Sequence, residues 1–213
     1  MKQAAEKNFA RILLSALLLA VLLTAGCSND QKEAENSVQA YLTAVSGFNL
    51  DAMETCLTEG KNEDFGIDTS MLSKNYVQTD TYKKAVDTMF KSLSATMEFS
   101  VNSSEKKTDD TMVVSTTIKY SDVNEEAVEQ FMQQKTDEYF KAHPELEKKT
   151  EIEQSDTGIT VMANAYKEFL QTQGKISKDV DITVVRKDGK WKILNGEENS
   201  DLKNLLTDIY STF

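Results

Sequence analysis

Very few side chains in this sequence are able to do covalent or acid–base chemistry. There is one histidine, His143, and there are two cysteines, Cys27 and Cys56. A zinc site of the usual histidine-rich kind cannot be assembled from one imidazole, nor can a Ser-His-Asp triad with spare partners. His143 precedes Pro144 in a charged stretch and reads as a solvated residue at a helix exit. Cys56 shares a helical face with Met53 and Leu57, where a thiol behaves as a small hydrophobe. No glycine-rich phosphate loop, Gly-x-Ser-x-Gly elbow or calcium-loop spacing occurs, so no cofactor is expected. The acidic run Glu197, Glu198 and Asp201 offers oxygen donors for at most a weak calcium site. Asp179 and Asp181 flank Val180 on a strand and are candidates for a proton-abstracting carboxylate. They alternate against Val180 and Ile182, which puts them on the opposite face from that apolar set and favours solvated edge charge.

The other chemically distinctive stretch is basic. Lys175, Lys178, Arg186, Lys187, Lys190 and Lys192 stand against Asp179, Asp181 and Asp188, a local excess of three positive charges. Lys187, Lys190 and Lys192 form a possible interaction face for an anionic partner. The same lysines could simply blunt an exposed sheet edge.

These residues are positioned by elements that alternate in period. Ala34, Val38, Tyr41, Leu42 and Val45 make one helical stripe, stopped at Gly47 with Phe48 folding back. Asn49 caps a short second helix that Gly60 ends, and residues 61–79 hold a turn or two more. Tyr82 to Leu93 is a third helix. Met97–Val101 and Met112–Tyr120 then alternate at a period of two, joined by a polar loop from Asn102 to Asp110. Two helices follow, the first ending before Pro144 and the second formed by Ile159–Leu170, with the charged stretch Glu145–Asp156 between them readable as an extended helix start or as a loop. A second hairpin, Val180–Val184 and Trp191–Ile193, turns at Asp188-Gly189. Leu202 to Tyr210 is a final helix, capped by Asn199 or Ser200. Sequential antiparallel pairs interleaved with amphipathic helices predict an α+β fold: a bent antiparallel sheet packed against helices.

The first 26 residues stand apart. Lys2, Lys7 and Arg11 precede an apolar run from Ile12 to Leu23, too short to cross a bilayer and of export-signal length. Leu23-Thr24-Ala25-Gly26-Cys27 resembles the lipobox of bacterial lipoproteins, with threonine where that family most often has leucine. The resemblance implies cleavage between Gly26 and Cys27 and diacylglycerol on the Cys27 thiol. The chain then divides into a signal peptide (1–26), a lipidated cysteine with a short spacer (27–32), and a single domain (33–213). Without residues 1–26, the remaining 187 residues carry 21 basic and 34 acidic side chains, a formal net charge of −13. Such a domain has no electrostatic reason to bind nucleic acid, and anionic headgroups repel it. The lipid would therefore hold it on the extracytoplasmic face of the cell membrane.

Together with the lipobox, the Val38–Val45 helix and the Val180–Ile193 hairpin with Trp191 resemble small Gram-positive lipoproteins. In that group the domain is a cystatin-like, or nuclear-transport-factor-two-like, roll. The helical pair near 124–174 and the last helix are extra to the minimal roll. The resemblance implies an amino-terminal helix seated in the concavity of the sheet. The expected role is a non-catalytic module binding an unknown protein or small-molecule ligand. An isomerase- or hydrolase-like enzyme using a pocket carboxylate is the alternative, and a transporter-associated ligand receptor the third reading.

Overall fold

The computed structural model describes residues 29–58, 62–67 and 79–211. Helix α1 covers residues 29–46, followed by α2 (Leu50–Cys56), a 3-10 turn (Asn62–Phe65) and α3 (Asp80–Ser94). Strands β1 (Glu98–Thr108) and β2 (Thr111–Ser121) form the first hairpin. Helices α4 (Glu125–Ala142) and α5 (Glu151–Leu170) form an inserted pair, and β3 (Lys175–Lys187) and β4 (Lys190–Ile193) the second hairpin. Helix α6 (Ser200–Tyr210) closes the order. The class is α+β, with one open four-stranded sheet in the order β1-β2-β3-β4 and every neighbouring pair antiparallel.

Local chemistry sets the element ends. Phe48 takes a left-handed φ of 47° after Gly47, which folds its ring back to stack on Phe90 at 4.8 Å. The Asn49 side chain accepts from the Ala52 N–H at 3.1 Å and the Asn124 side chain from the Ala127 N–H at 2.9 Å, each satisfying a donor orphaned at a helix start. Thr150 and Glu153 form a reciprocal capping box at the start of α5. Helix α4 ends at Ala142 with His143 as its cap, and Pro144 starts a separate 3-10 turn. The β3–β4 turn has Asp188 at φ 52° and Gly189 at φ 74°, the pair of positive angles that a two-residue hairpin turn requires.

Three stretches differ from the sequence expectation. Strand β3 begins at Lys175, five residues before Val180, where pairing with β2 holds it. The polar segment Asn102–Asp110 is not a loop: β1 continues to Thr108 and only Asp109 and Asp110 turn. Pairing with β2 holds it, with register shifts at Val101/Ser103 and Lys106/Thr108. Residues 29–32, expected as spacer, are helical. Gly60 and most of 61–79 lie outside the described residues, as do Gly26 and Cys27.

The inner face of the sheet carries Met112, Val114, Thr116 and Ile118 from β2, Val180, Ile182 and Val184 from β3, and Trp191 and Ile193 from β4, all buried. Helix α1 lies over it, where the Ser37 hydroxyl donates to the Trp191 carbonyl at 2.9 Å. Helix α6 lies against β3, and Ser94 of α3 shares a 2.6 Å hydrogen bond with Tyr210 of α6. The buried side chains of all these elements form one continuous core. Asn199 supplies α6 with no side-chain cap; instead its buried amide accepts from the Thr183 N–H at 2.7 Å and donates to the Thr183 and Leu194 carbonyls, tying the start of α6 to the sheet.

Candidate functional site at the hairpin-turn end of the sheet

Both hairpin turns lie at the same end of the sheet, because β1 and β3 each run toward a turn and β2 and β4 run away from one. The Arg186 N–H donates to the Asp110 carbonyl at 2.9 Å, joining the two turns. The first turn of α1 is fastened here. Asp30 pairs with the Arg186 guanidinium, which lies over the Trp191 ring at 4.9 Å. Gln31 donates to the Ser104 carbonyl at 3.4 Å, and the Ser104 hydroxyl donates to Glu35 at 2.7 Å. Asp30 and Ser104 carried no signal in the sequence. Their partners lie 156 and 69 residues away, in Arg186 and Glu35, and no local pattern encodes such distances.

The three lysines of the expected interaction face have different roles. Lys187 is half-buried and donates to the Thr58 carbonyl at 3.0 Å, and Lys192 donates to the Thr55 carbonyl. Thr55 lies in the last turn of α2, where carbonyls lack helical partners and the helix dipole is negative. Residues 57 and 58 also run beside β4, with the Thr58 N–H donating to the Ile193 carbonyl at 2.9 Å. Lys187 and Lys192 therefore fasten the exit of α2 to the second hairpin. Lys190 projects from the turn and is exposed. On the first hairpin, Lys106 pairs with Asp109 and Lys107 with Glu105, each at 2.7 Å. The Lys106 hydrogen bond and charge hold the Asp109 carboxyl below its ordinary value.

The other sequence candidates are scattered. Asp179 accepts from the Thr117 hydroxyl at 2.6 Å and Asp181 from the Ser115 hydroxyl, both exposed on the open face of the sheet. The carboxyls of Glu98, Asp109, Glu145 and Glu153 are exposed and held below their ordinary values, chiefly by hydrogen bonds to the ionised form. The groups pushed up by burial are phenols: Tyr210, to about 12, and Tyr41. His143 ends α4 in solvent, 3.0 Å from Glu145 and beside the Tyr139 ring. Cys56 is half-buried against the core. Glu198 and Asp201 are exposed, the Glu197 side chain is outside what the structure describes, and no group of three or more metal-ligating side chains converges among the described residues. The inner face of the sheet is filled by core side chains. Open grooves elsewhere include one of about 650 Å³ along the outer face of α4 and one of about 620 Å³ between the ends of α3 and α5 and the start of β3.

No family model and no curated protein matches the chain. Among solved structures the fold is similar to that of "a putative lipoprotein (ycdA)" from Bacillus subtilis. The TM-score is 0.53 at 16% sequence identity, over 88% of this chain and 58% of that one. At that identity the likeness is one of fold, and this chain spans 58% of that protein's length. Among the described residues no helix is long and apolar enough to cross a membrane.

Proposed function

We propose that this chain is an exported lipoprotein, held at the outer face of the cell membrane by diacylglycerol on Cys27. Its domain binds a protein or small-molecule partner and does not turn over substrate. The observation that carries the anchor is the order of features at the amino end: basic residues, a short apolar run, and small residues leading to Cys27. That order precedes a domain whose fold is similar to that of a protein described as a lipoprotein. Two acyl chains at about 0.8 kcal/mol per buried methylene anchor stably, where one chain anchors only marginally. We read the domain as an elaborated cystatin-like roll, with α1 in the place of the amino-terminal helix and α4, α5 and α6 as additions.

Binding is favoured over catalysis by where the carboxylates sit. A carboxylate that abstracts protons near neutral pH needs burial or a neighbouring like charge to raise its pKa. Asp179 and Asp181 instead face solvent on the open side of the sheet, where each accepts a hydroxyl hydrogen bond and neither is buried. Metabolic labelling with an alkyne fatty acid tests the anchor: Cys27→Ala is expected to abolish the label, and undiminished label would refute it. A library of hydrolase and isomerase substrates tests the second half. Turnover abolished by one Asp or Glu substitution would make the domain an enzyme.

A further inference from the structure

Helical structure is already present at Asn29, and Asp30 is fixed to Arg186. Only Ser28 separates Cys27 from Asn29, so the sulfur-bearing residue lies at most about 7 Å of extended chain, two residue steps, from the folded domain. Where the chain leaves the domain is therefore where the lipid must be. That place is the hairpin-turn end, because the first turn of α1 is clamped between Ser104 of β1 and Arg186 of β3. The opposite end of the sheet, where Glu98 pairs with Lys175, is the length of β3 away. The strand has 13 residues, which at 3.3 Å each is roughly 40 Å.

The charge of the turn end allows it to face a bilayer. Segments 29–33, 105–110 and 186–190 hold six basic residues, Lys32, Lys106, Lys107, Arg186, Lys187 and Lys190, against six acidic ones. This end is electrically neutral, and the net charge of −13 belongs to the rest of the domain. Anionic headgroups repel acidic surface only within about a Debye length, roughly 8–10 Å. A neutral end carrying exposed lysines can lie against such a bilayer while the acidic remainder stays outside that range.

We propose that the hairpin-turn end is a membrane-apposed surface, its lysines meeting anionic lipid headgroups, so that the domain stands on the bilayer in one orientation. The inference rests on the anchor at Cys27. It assigns Lys190, Lys106 and Lys107 to the bilayer, and leaves the open sheet face and the far end to a partner.

The test uses the full lipidated protein, purified from membranes in a Cys56→Ser background. It is reconstituted in vesicles of phosphatidylcholine and phosphatidylglycerol that carry a headgroup quencher. A fluorophore is placed by Lys190→Cys or Asp109→Cys at the turn end, or by Gln171→Cys at the far end. Both turn-end labels should lose most of their emission and the far-end label almost none. Intact mass of the same preparations reports the lipid. Equal quenching at both ends, or stronger quenching at Gln171, in a protein whose mass shows diacylglycerol would overturn the orientation alone. Absence of diacylglycerol from Cys27 would overturn the anchor and the orientation with it. Replacing phosphatidylglycerol by phosphatidylcholine should weaken quenching at the turn end; unchanged quenching would remove the lysine–headgroup contact from the proposal.

Discussion

Helices α1 and α4 are of equal length and buried very differently. In α1, Ala34, Val38, Tyr41, Leu42 and Val45 are each 0% exposed, inside the same core that holds the Phe48–Phe90–Tyr210 aromatic cluster. In α4 only Val128 and Thr136 are buried. Phe131 meets Phe169 at 5.5 Å and Lys135 meets Glu168 at 2.8 Å, so α4 leans on α5 by one side. Its other side is a row of Glu, Gln and Asp residues open to solvent. Amphipathic spacing is legible in both helices. What the spacing does not reveal is how many layers will close over the stripe, and that number sets the energetic weight of the helix.

Four measurements can break or sharpen the contrast. Leu42→Ala in α1 should cost about 2–5 kcal/mol, because the removed atoms leave a cavity bounded on every side. Denaturant unfolding followed by Trp191 emission reads it directly. Phe131→Ala in α4 should cost less, about 1–2 kcal/mol, since a half-exposed ring forfeits only part of the 1.5–3 kcal/mol of a buried one. Equal losses for the two variants would show that α4 belongs to the core. Thr150→Ala removes the capping box at the start of α5 and should cost about 1 kcal/mol. Faster amide exchange confined to the first turn of α5 would confirm that the effect is local.

The smallest effect is on pH. Glu153 is held below its ordinary value, first by the Thr150 N–H, then by the Thr150 hydroxyl and Lys149. A carboxyl depressed in the folded state contributes stability above its unfolded pKa and loses it as pH falls through the folded one. Amide exchange at residues 151–154, taken relative to the intrinsic rate at each pH, should therefore rise on acidification below the ordinary glutamate range, with α1 unaffected. A parallel rise in α1 would mean that the two helices open together.

Much of the fold was readable because it follows one-face burial. The alternation from Met112 to Tyr120 gave β2, and Asp188-Gly189 gave the second turn at the correct residues. The second half of β1 was unreadable for a physical reason. An edge strand whose outer residues face solvent on both sides needs no apolar alternation, and its conformation is imposed by β2 through the pairing of Ser103 to Thr108. The start of α1 was hidden likewise, since Asn29, Asp30 and Gln31 are polar, and Asp30 and Gln31 are fixed by groups remote in sequence. At the candidate site the basic hairpin stood out, but the division of its lysines did not. Lys187 and Lys192 answer to carbonyls of residues 58 and 55, and only the fold brings those within reach.

The Ser37–Trp191 and Asp30–Arg186 contacts close loops of 154 and 156 residues. Contacts of that separation are formed late, since the loop entropy must be overcome before they stabilise anything, and folding slows as their share grows. Helix α1 is made first and needs the last hairpin as its floor, so no amino-terminal fragment ending before Ile193 contains a completed core. A chain emerging amino end first remains open along almost its whole length until the second hairpin arrives. Only then can the core under α1 be completed.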